Sequence, residues 1–306
     1  MKLVVIGGSG NLSLAESIAG RLGTRVCPFE ANRFPDGELH VEVPATVRGG
    51  DVYLVQPTGP PVDGHLMELL LLADACRRAG AGRLTAVVPY LGYARQDRRV
   101  NKGEAVGARV VADLLGVGAF ERIVAVDLHN VSLEGFFGIP LEHLSAVPLL
   151  ASALEGLVTD KSVLVAPDLG AVKLAERYAE LLHRPITIVH KTRLSGEEVR
   201  VYGIVGEVAG RTPVIVDDMV STAGTIEAAA AALSATGCLR EITVVASHAL
   251  LVGPALRRLS TLPLKRLLVT DSLPVAEHGS LPLQVVSLAP MLAETLARLN
   301  GGESMS

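Results

Sequence analysis

Apolar and polar positions along the chain follow two patterns, which are short runs of β-branched residues and longer segments with apolar residues at helical spacing. Several of the short runs are almost wholly apolar, as is typical of strands that are buried on both faces of a sheet. The predicted strands are Leu3–Ile6, Val52–Gln56, Leu84–Pro89, Ile123–Leu128, Val163–Ala166, Ile186–His190, Val214–Val216, Ile242–Ala246 and Leu267–Thr270. The predicted helices are Ser13–Leu22, His65–Ala79, Val106–Leu115, Ala171–Leu182, Thr225–Ala235 and Met291–Leu299.

Strands that alternate with helices predict an α/β fold class with mostly parallel sheets and helices on both faces. The pattern runs too long for one compact sheet, so we expect two doubly wound domains that meet near residues 145–150. The predicted division is an N-terminal domain over residues 1–147 and a C-terminal domain over 148–288. Residues 289–306 then form a C-terminal helix and a frayed tail.

The composition is that of a globular protein with an aliphatic core, since 49% of the 306 residues are hydrophobic, 3% are aromatic and none is Trp. A formal net charge of −4 does not favour nucleic acid as a partner. The cysteines are Cys27, Cys76 and Cys238, and their odd number and wide spacing favour a reducing compartment over disulfides or a zinc site. The first residues indicate a strand rather than a signal peptide, and the most apolar stretch, 242–256, is too short to span a bilayer. We therefore expect a cytoplasmic protein with no membrane partner.

The segment VIVDDMVSTAGTI carries the sharpest chemical signal, because a predicted strand runs into the adjacent acids Asp217 and Asp218. A loop of small residues follows and a helix begins; these residues are Ser221, Thr222, Ala223, Gly224 and Thr225. Small residues and a helix N-terminus let backbone N–H groups bind an anion, and the carboxylates can accept hydrogen bonds from sugar hydroxyls. The pattern therefore predicts a sugar-phosphate site; the alternative is a helix N-cap beside a solvated acidic turn.

Two more polar clusters follow predicted strands in the first half of the chain. PYLGYARQDRR, which contains Arg95 and Gln96, suits polyphosphate recognition, or it is a solvated charged loop. His129 follows Asp127 in AVDLHN and is a candidate metal or phosphate contact, or a structural histidine. The chain has no G-x-x-x-x-G-K-[ST] motif, and GGSG at 7–10 lacks the full dinucleotide-binding spacing, so we interpret it as a plain loop.

The second half carries two further strand-end clusters. Asp168 lies in APDLGA, just before a predicted helix. Lys191 and Arg193 lie two residues apart in HKTR, so an extended backbone places both on one face. Two cations on one face can neutralise the charge that develops on a transferring phosphoryl group.

Taken in order, the motifs of residues 33–274 resemble those of the ribose-phosphate pyrophosphokinase (phosphoribosyl pyrophosphate synthetase) family. The segments that carry the resemblance are RFPDGE, QPTGPP, MELLLLADACRRAGAGRLTAVVPYLGYARQDR, DLHN, EGFFGIPLEHL, APDLGAVKLA, KTR and DDMVSTAGT. The resemblance implies two domains of the phosphoribosyltransferase fold. It also implies transfer of the diphosphoryl group of ATP to the C1 hydroxyl of ribose 5-phosphate with Mg²⁺, giving phosphoribosyl pyrophosphate and AMP.

The resemblance also implies a role for each motif residue. Lys191 and Arg193 would be catalytic, and His129 with Asp168 would serve the metal. The implied ATP contacts are Phe34, Asp36, Gly37, Glu38, Arg95 and Gln96, with the RFPDGE segment usually donated by a neighbouring subunit. The implied ribose 5-phosphate contacts are Arg193, Asp217, Asp218, Ser221, Thr222, Ala223, Gly224 and Thr225. A homo-oligomer built from dimers, with a hexamer as one option, is therefore expected.

The chain departs from the family pattern in the sugar-phosphate loop, where family members usually carry Asp in place of Ser221. This departure keeps a regulatory or catalytically weak paralogue open as an alternative. A phosphoribosyltransferase that consumes phosphoribosyl pyrophosphate is a further alternative, because it shares the acid pair and the loop. That enzyme class would not explain ARQDR, DLH and RFPDGE.

Overall fold

The computed structural model describes residues 1–193, 199–239, 241–275 and 279–303, and for residues 191–193 and 199–202 it describes the backbone alone. The chain divides into two compact units. Unit 1 comprises Met1–Leu144, Ser272–Pro274 and Ser287–Ser306, and unit 2 comprises Ser145–Asp271 and Val275–Val286.

Unit 1 is built on a parallel sheet of five strands. In spatial order they are β1 (Leu3–Gly7), β4 (Asp51–Val55), β5 (Arg83–Val88), β6 (Arg122–Val126) and β7 (Leu141–Leu144). Val26 pairs with Val5 of β1 in parallel. After β1 the chain pairs first with one edge of β1, at Val26, and then with the other edge, as β4. The strand order therefore reverses between β1 and β4. Such a reversal is where ligands bind in open α/β sheets.

Helices cover the sheet of unit 1 because each strand presents alternate apolar residues to each face. Leu69 and Val111 pack with Ile6, Leu54 and Val88 in one buried cluster. The helices of unit 1 are α1 (Leu12–Arg21), α2 (Val62–Arg78), α3 (Gly107–Val117) and α8 (Ala289–Gly301), and α1 packs against α8. A separate antiparallel hairpin is formed by β2 (Glu30–Arg33) and β3 (Leu39–Glu42), with β3 against α2.

Unit 2 has a sheet of seven strands in which only the β9–β10 pair is antiparallel among the described residues. In spatial order they are β10 (Val199–Val205), β9 (Ile186–Arg193), β8 (Ser162–Ala166), β11 (Thr212–Val220), β12 (Ile242–Ala249), β13 (Leu264–Thr270) and β14 (Leu283–Val286). Its helices are α4 (Val147–Leu154), α5 (Val172–Leu182), α6 (Gly224–Ala235) and α7 (Ala255–Ser260). The strand order reverses between β8 and β11.

These sheets confirm the predicted α/β class with doubly wound, mostly parallel sheets. Every strand and helix predicted above is present with shifted ends, and residues 145–150, taken above for a junction, run into α4. None of the helices in the described part of the chain has both the length and the apolar character that crossing a membrane requires.

Candidate active site

The candidate sugar-phosphate site lies in unit 2, at the carboxyl end of β11. Asp217 and Asp218 belong to β11 itself, which corrects the prediction that the strand ends at Val216. The ladder with β8 pairs residues up to Ile215, and β11 continues beyond it to Val220. The two acids therefore lie on the part of β11 that projects past β8, beside the reversal of strand order where a ligand is expected.

Asp217 is held in an unusual electrostatic state by its surroundings. Its Oδ1 accepts a hydrogen bond of 2.9 Å from the backbone N–H of Asp218. Burial, followed by repulsion from the carboxylate of Asp218 and then from that of Asp168, raises the pKa of Asp217 well above its usual range. Sugar hydroxyls or a metal ion would be favoured beside these three carboxylates, since either would offset their mutual repulsion.

The backbone carbonyls at the start of the loop of residues 221–225 are held by hydrogen bonds. The carbonyl of Val220 accepts from the N–H groups of Leu250 and Leu251, each at 3.0 Å, and that of Ser221 accepts from Val252 at 3.0 Å. Within the described residues, no acceptor takes the N–H groups of residues 221–224. These amides and the N-terminus of α6 are suited to bind an anion such as a phosphate.

Backbone strain marks three of the candidate loops. Tyr93, Asp127 and Ala223 have φ values of 63°, 39° and 59°, a left-handed conformation that costs a non-glycine residue of order 1 kcal/mol. Each lies in the loop after a strand, namely β5, β6 or β11. Strain that the surrounding structure maintains at strand ends supports a functional rather than a purely structural role for these loops.

Asp168 follows β8 and has a defined structural task. Its Oδ1 accepts hydrogen bonds from Gly170 N at 3.0 Å and Ala171 N at 3.3 Å, so it caps the 3-10 turn Leu169–Ala171 that leads into α5. This cap fixes the orientation of the carboxylate at the strand end. The predicted helix start at Ala171 is replaced by that turn.

Lys191 and Arg193 lie in β9, where they pair with Val201 and Val199 of β10. The backbone of both residues is extended, as predicted. Their side chains lie outside the described part of the structure.

In unit 1, the segment with Arg95 and Gln96 follows β5 and is firmly anchored although both side chains are exposed. Gln96 N donates to Tyr93 O at 2.9 Å, and Ala108 N at the start of α3 donates to Gln96 O at 3.2 Å. The Tyr93 hydroxyl donates to Asp63 Oδ1. The exposed cation and amide thus project from a fixed backbone.

His129 is exposed in the loop after β6, and that loop is held by residues that the sequence analysis missed. Leu128 N donates to His143 Nε2 at 3.0 Å, so this nitrogen must be the acceptor. Nδ1 of His143 therefore carries the proton and donates to Glu134 Oε1 at 2.8 Å. On the other side of His129, the Asn130 side chain donates to Asp97.

The RFPDGE segment forms the tip of the β2–β3 hairpin. Phe34 N donates to Glu38 O at 2.9 Å and Gly37 N donates to Phe34 O at 2.8 Å, while Gly37 takes a φ of 95° that favours glycine. Asp36 Oδ1 accepts from Glu38 N at 3.1 Å. Phe34 is 51% exposed and contacts the His40 ring edge-on, with 5.7 Å between the ring centroids. A rigid tip therefore presents an aromatic ring to solvent.

The glycine-rich loop after β1 is closed to an anion, in agreement with its interpretation as a plain loop. Ser9 N donates to Glu68 Oε1 at 2.6 Å, and the Ser9 hydroxyl donates to the other oxygen of that carboxylate. Gly10 N donates to Gln56 Oε1 at 2.9 Å. Glu68 is buried, and its carboxylate takes the place that a phosphate would need at this strand reversal.

The candidate residues divide between the two units. Unit 1 contains the hairpin tip, Arg95, Gln96 and His129. Within unit 1, the Asn130–Asp97 hydrogen bond joins the loop of Arg95 and Gln96 to the loop of His129. Unit 2 brings together Asp168, Asp217, Asp218 and the 221–225 loop. The structure thus groups the predicted polyphosphate contacts in one unit and the predicted sugar-phosphate contacts in the other.

Comparison with known proteins matches both parts of the chain. Residues 3–118 match the model of the N-terminal domain of ribose phosphate pyrophosphokinase, and residues 197–306 match the phosphoribosyl synthetase-associated domain. The chain is 40% identical to a ribose-phosphate pyrophosphokinase of Prochlorococcus marinus, over 100% of this chain and 93% of the relative. It is also 40% identical to one of Caldanaerobacter subterraneus, over 99% and 96%. The crystal structure of phosphoribosylpyrophosphate synthetase from Mycobacterium smegmatis superposes with a TM-score of 0.92 at 36% identity, covering 99% of this chain and 100% of that one.

Proposed function

This chain belongs to the ribose-phosphate pyrophosphokinase family, and from that premise we propose that it transfers the diphosphoryl group of ATP to the C1 hydroxyl of ribose 5-phosphate. The products are phosphoribosyl pyrophosphate and AMP. The observation that carries the proposal is the pairing of two partly buried acids with an open amide loop at the strand reversal of unit 2. One end of that site suits a phosphate and the other suits a sugar diol.

Ribose 5-phosphate is placed by unit 2. The amides and hydroxyls of the 221–225 loop bind its phosphate, and Asp217 with Asp218 accept hydrogen bonds from the ribose hydroxyls. Arg193 assists at the sugar phosphate. Since the carbonyls of Val220 and Ser221 are already bound by residues 250–252, the start of the loop is held before the anion arrives.

ATP is bound by residues of unit 1. Arg95 and Gln96 project from an anchored backbone and contact the nucleotide. The hairpin tip with Phe34, Asp36, Gly37 and Glu38 receives the adenine of a neighbouring subunit's ATP, so the protein works as a dimer-based homo-oligomer. An exposed Phe on a rigid turn suits this purpose, because a purine can stack on its face.

The metal that the family implies is Mg²⁺, and the chemistry of the available donors fits it in part. Mg²⁺ prefers carboxylate, phosphate and water oxygens and is often bound by one or two carboxylates together with substrate phosphates. Asp168 offers a carboxylate of fixed orientation. The imidazole of His129 is a softer ligand than Mg²⁺ prefers, so we propose that His129 contacts a water or phosphate bound to the ion. Groups of three or more His, Cys, Asp or Glu side chains that could hold a metal do not occur in the described part of the chain.

The chemical step consists of positioning and charge neutralisation. Bound Mg²⁺ supplies positive charge to the phosphate oxygens. Lys191 and Arg193 both belong to β9. We propose that they neutralise the charge that develops as the C1 oxygen attacks the β-phosphorus and AMP departs. By binding the sugar phosphate, the loop positions the ribose that carries the attacking hydroxyl.

A direct assay tests this proposal. Purified protein, ATP, Mg²⁺ and ribose 5-phosphate are mixed, and AMP and phosphoribosyl pyrophosphate are quantified together. Equal amounts of both products are expected. A protein that binds ATP yet forms neither product would instead be a regulatory paralogue.

A further inference from the structure

Arg258 of α7 contacts the sugar-phosphate loop, and it belongs to none of the sequence motifs described above. Its Nη1 donates to the carbonyl of Thr222 at 3.1 Å. Its Nε lies 3.1 Å from Oε2 of Glu227, which belongs to the first turn of α6. One guanidinium therefore connects α7 to both the loop and the helix that form the anion site.

The contact completes the pattern of the loop carbonyls. Val220 and Ser221 direct theirs to the backbone of residues 250–252, and Thr222 directs its own to Arg258. Three successive carbonyls are thus held by hydrogen bonds, which restricts the peptide groups that carry the following amides. The contact of Arg258 with the loop is thus to a backbone carbonyl.

The fit around the guanidinium is close. A Cβ atom added to Gly224 would lie 3.0 Å from Arg258 Nη1, so a larger residue at 224 would displace the guanidinium. The Arg258 side chain is 26% exposed, and this partial shielding strengthens its charged hydrogen bonds. Arg258 supplies a planar fork of donors that a lysine cannot reproduce at two acceptors at once.

We propose that Arg258 is a positioning residue for ribose 5-phosphate, which holds the 221–225 loop in the conformation that presents its amides to the sugar phosphate. This inference rests on the proposed function of that loop. It assigns no contact between Arg258 and the substrate. It explains why a cation on α7 is directed at a backbone carbonyl beside an anion site.

The test compares Arg258→Met with Arg257→Met. Arg257 is exposed on the same helix, so its substitution removes the same charge without touching the loop. Binding of ribose 5-phosphate is measured by calorimetry, KM is measured for both substrates, and the melting temperature is recorded. We expect Arg258→Met to raise the Kd and KM for ribose 5-phosphate about tenfold with little change in the KM for ATP. Arg257→Met should leave all of these values at the wild-type level.

A milder pair of variants keeps the proposal testable if Arg258→Met does not fold. Arg258→Lys keeps the charge and one contact, and Glu227→Gln weakens the second contact, so both should raise the ribose 5-phosphate Kd by less than Arg258→Met. Equal Kd values for the Arg258 and Arg257 variants, or a parallel loss in both substrates, would overturn the inference. Calorimetry separates the two proposals, since wild-type protein that binds ribose 5-phosphate without turnover would refute the synthetase activity alone. Wild-type protein that does not bind ribose 5-phosphate would refute both.

Discussion

The side-chain amide of Asn130 donates a hydrogen bond of 2.9 Å to Oδ2 of Asp97, and this bond ties the loop after β6 to the loop after β5. Asn130 is adjacent to His129, and Asp97 is adjacent to Gln96. The Asp97 side chain is only 15% exposed, so the bond is shielded from water. The bond thus fixes the proposed metal-side and ATP-side contacts of unit 1 relative to each other.

Replacing Asn130 with Asp should impair the use of ATP. The new carboxylate keeps the oxygen that accepts from Ser132 N–H at 3.0 Å, but it meets Asp97 with a like charge in place of a donor. We expect kcat/KM for ATP to fall about tenfold, with the KM for ribose 5-phosphate unchanged. Steady-state kinetics with each substrate varied in turn measures both values.

Asn101→Asp provides the matched control for this substitution. Asn101 also donates from its amide to a carboxylate, Oε1 of Glu104 at 2.6 Å, but it lies outside the proposed contacts. The control should retain the wild-type kcat/KM for ATP. If kcat/KM for ATP falls equally in both variants, a general loss of order at the surface explains the fall, and the Asn130–Asp97 hydrogen bond does not.

His143→Phe should destabilise unit 1 and weaken its response to Mg²⁺. The change leaves the N–H of Leu128 without the acceptor it has in His143 Nε2, which costs about 1–3 kcal/mol in a shielded position. The loop that carries His129 should then need a higher Mg²⁺ concentration for half-maximal activity. Chemical denaturation and a Mg²⁺ titration of activity measure the two effects.

Glu134→Gln tests the hydrogen bond between His143 Nδ1–H and Glu134 separately from the one between Leu128 N–H and His143 Nε2. A glutamine retains an oxygen that accepts from His143 Nδ1–H, so stability should stay within about 0.5 kcal/mol of wild type. If His143→Phe proved as stable as Glu134→Gln, the Leu128–His143 bond would not hold the loop.

The central strands and the long helices were predictable from the sequence because their burial imposes a pattern on consecutive residues. β8 and β12 are buried at every position, and α5 repeats apolar residues at helical spacing. Short edge elements gave no comparable signal, as β7 and β14 have four residues each. The β2–β3 hairpin could have been found, since Leu39–Glu42 alternates apolar and polar residues after a Pro-Asp-Gly turn.

The residues that bear the proposed chemistry were visible as strand-end motifs, whereas those that position them were not. Asn130 reaches Asp97 across 33 residues and Arg258 reaches Thr222 across 36. Such pairs are set by which strands and helices become neighbours in space, and residue spacing in one sequence does not encode that. The extent of β11 was underestimated because two adjacent acids are typical of a loop and only the neighbouring strand β12 makes them part of a ladder.

Lys191→Ala should reduce turnover at least about 100-fold while the KM for ATP changes little, because Lys191 is assigned to charge that develops only in the transition state. Lys173→Ala is the control, since Lys173 is an exposed lysine on α5 of the same unit. Single-turnover kinetics at saturating ATP gives the comparison. Near-normal turnover in Lys191→Ala would remove this residue from the mechanism.

Ser221→Asp should leave the KM for ribose 5-phosphate within about threefold of wild type or improve it, since family members usually carry Asp there. The carbonyl of Ser221 is bound by Val252 N–H, so the backbone is held whatever the side chain. Ser221→Ala shows what the hydroxyl contributes. A large loss in Ser221→Asp alone would mean that the loop of this chain is adapted to a different ligand.

Asp217→Asn should make the protein more stable at neutral pH and much less active. Burial and the neighbouring carboxylates raise the pKa of Asp217 in the folded state above its value in the unfolded chain. Between those two values the folded protein binds more protons than the unfolded chain, so stability falls as pH rises through this range. Above the raised pKa the full cost of the buried charge is present, and an uncharged amide removes it.

Melting temperatures recorded from acid to neutral pH test this relationship. Asp217→Asn should melt higher than wild type at neutral pH, by about 2–4 °C for each kcal/mol recovered, and the difference should shrink toward acid pH, where Asp217 is protonated. Ribose 5-phosphate binding should weaken in the same variant, because a carboxylate acceptor for the sugar hydroxyls is lost. A variant that melts at the wild-type temperature at neutral pH would show that the charge on Asp217 carries no cost. In that case the repulsion between Asp217 and Asp218 would not favour ligand binding.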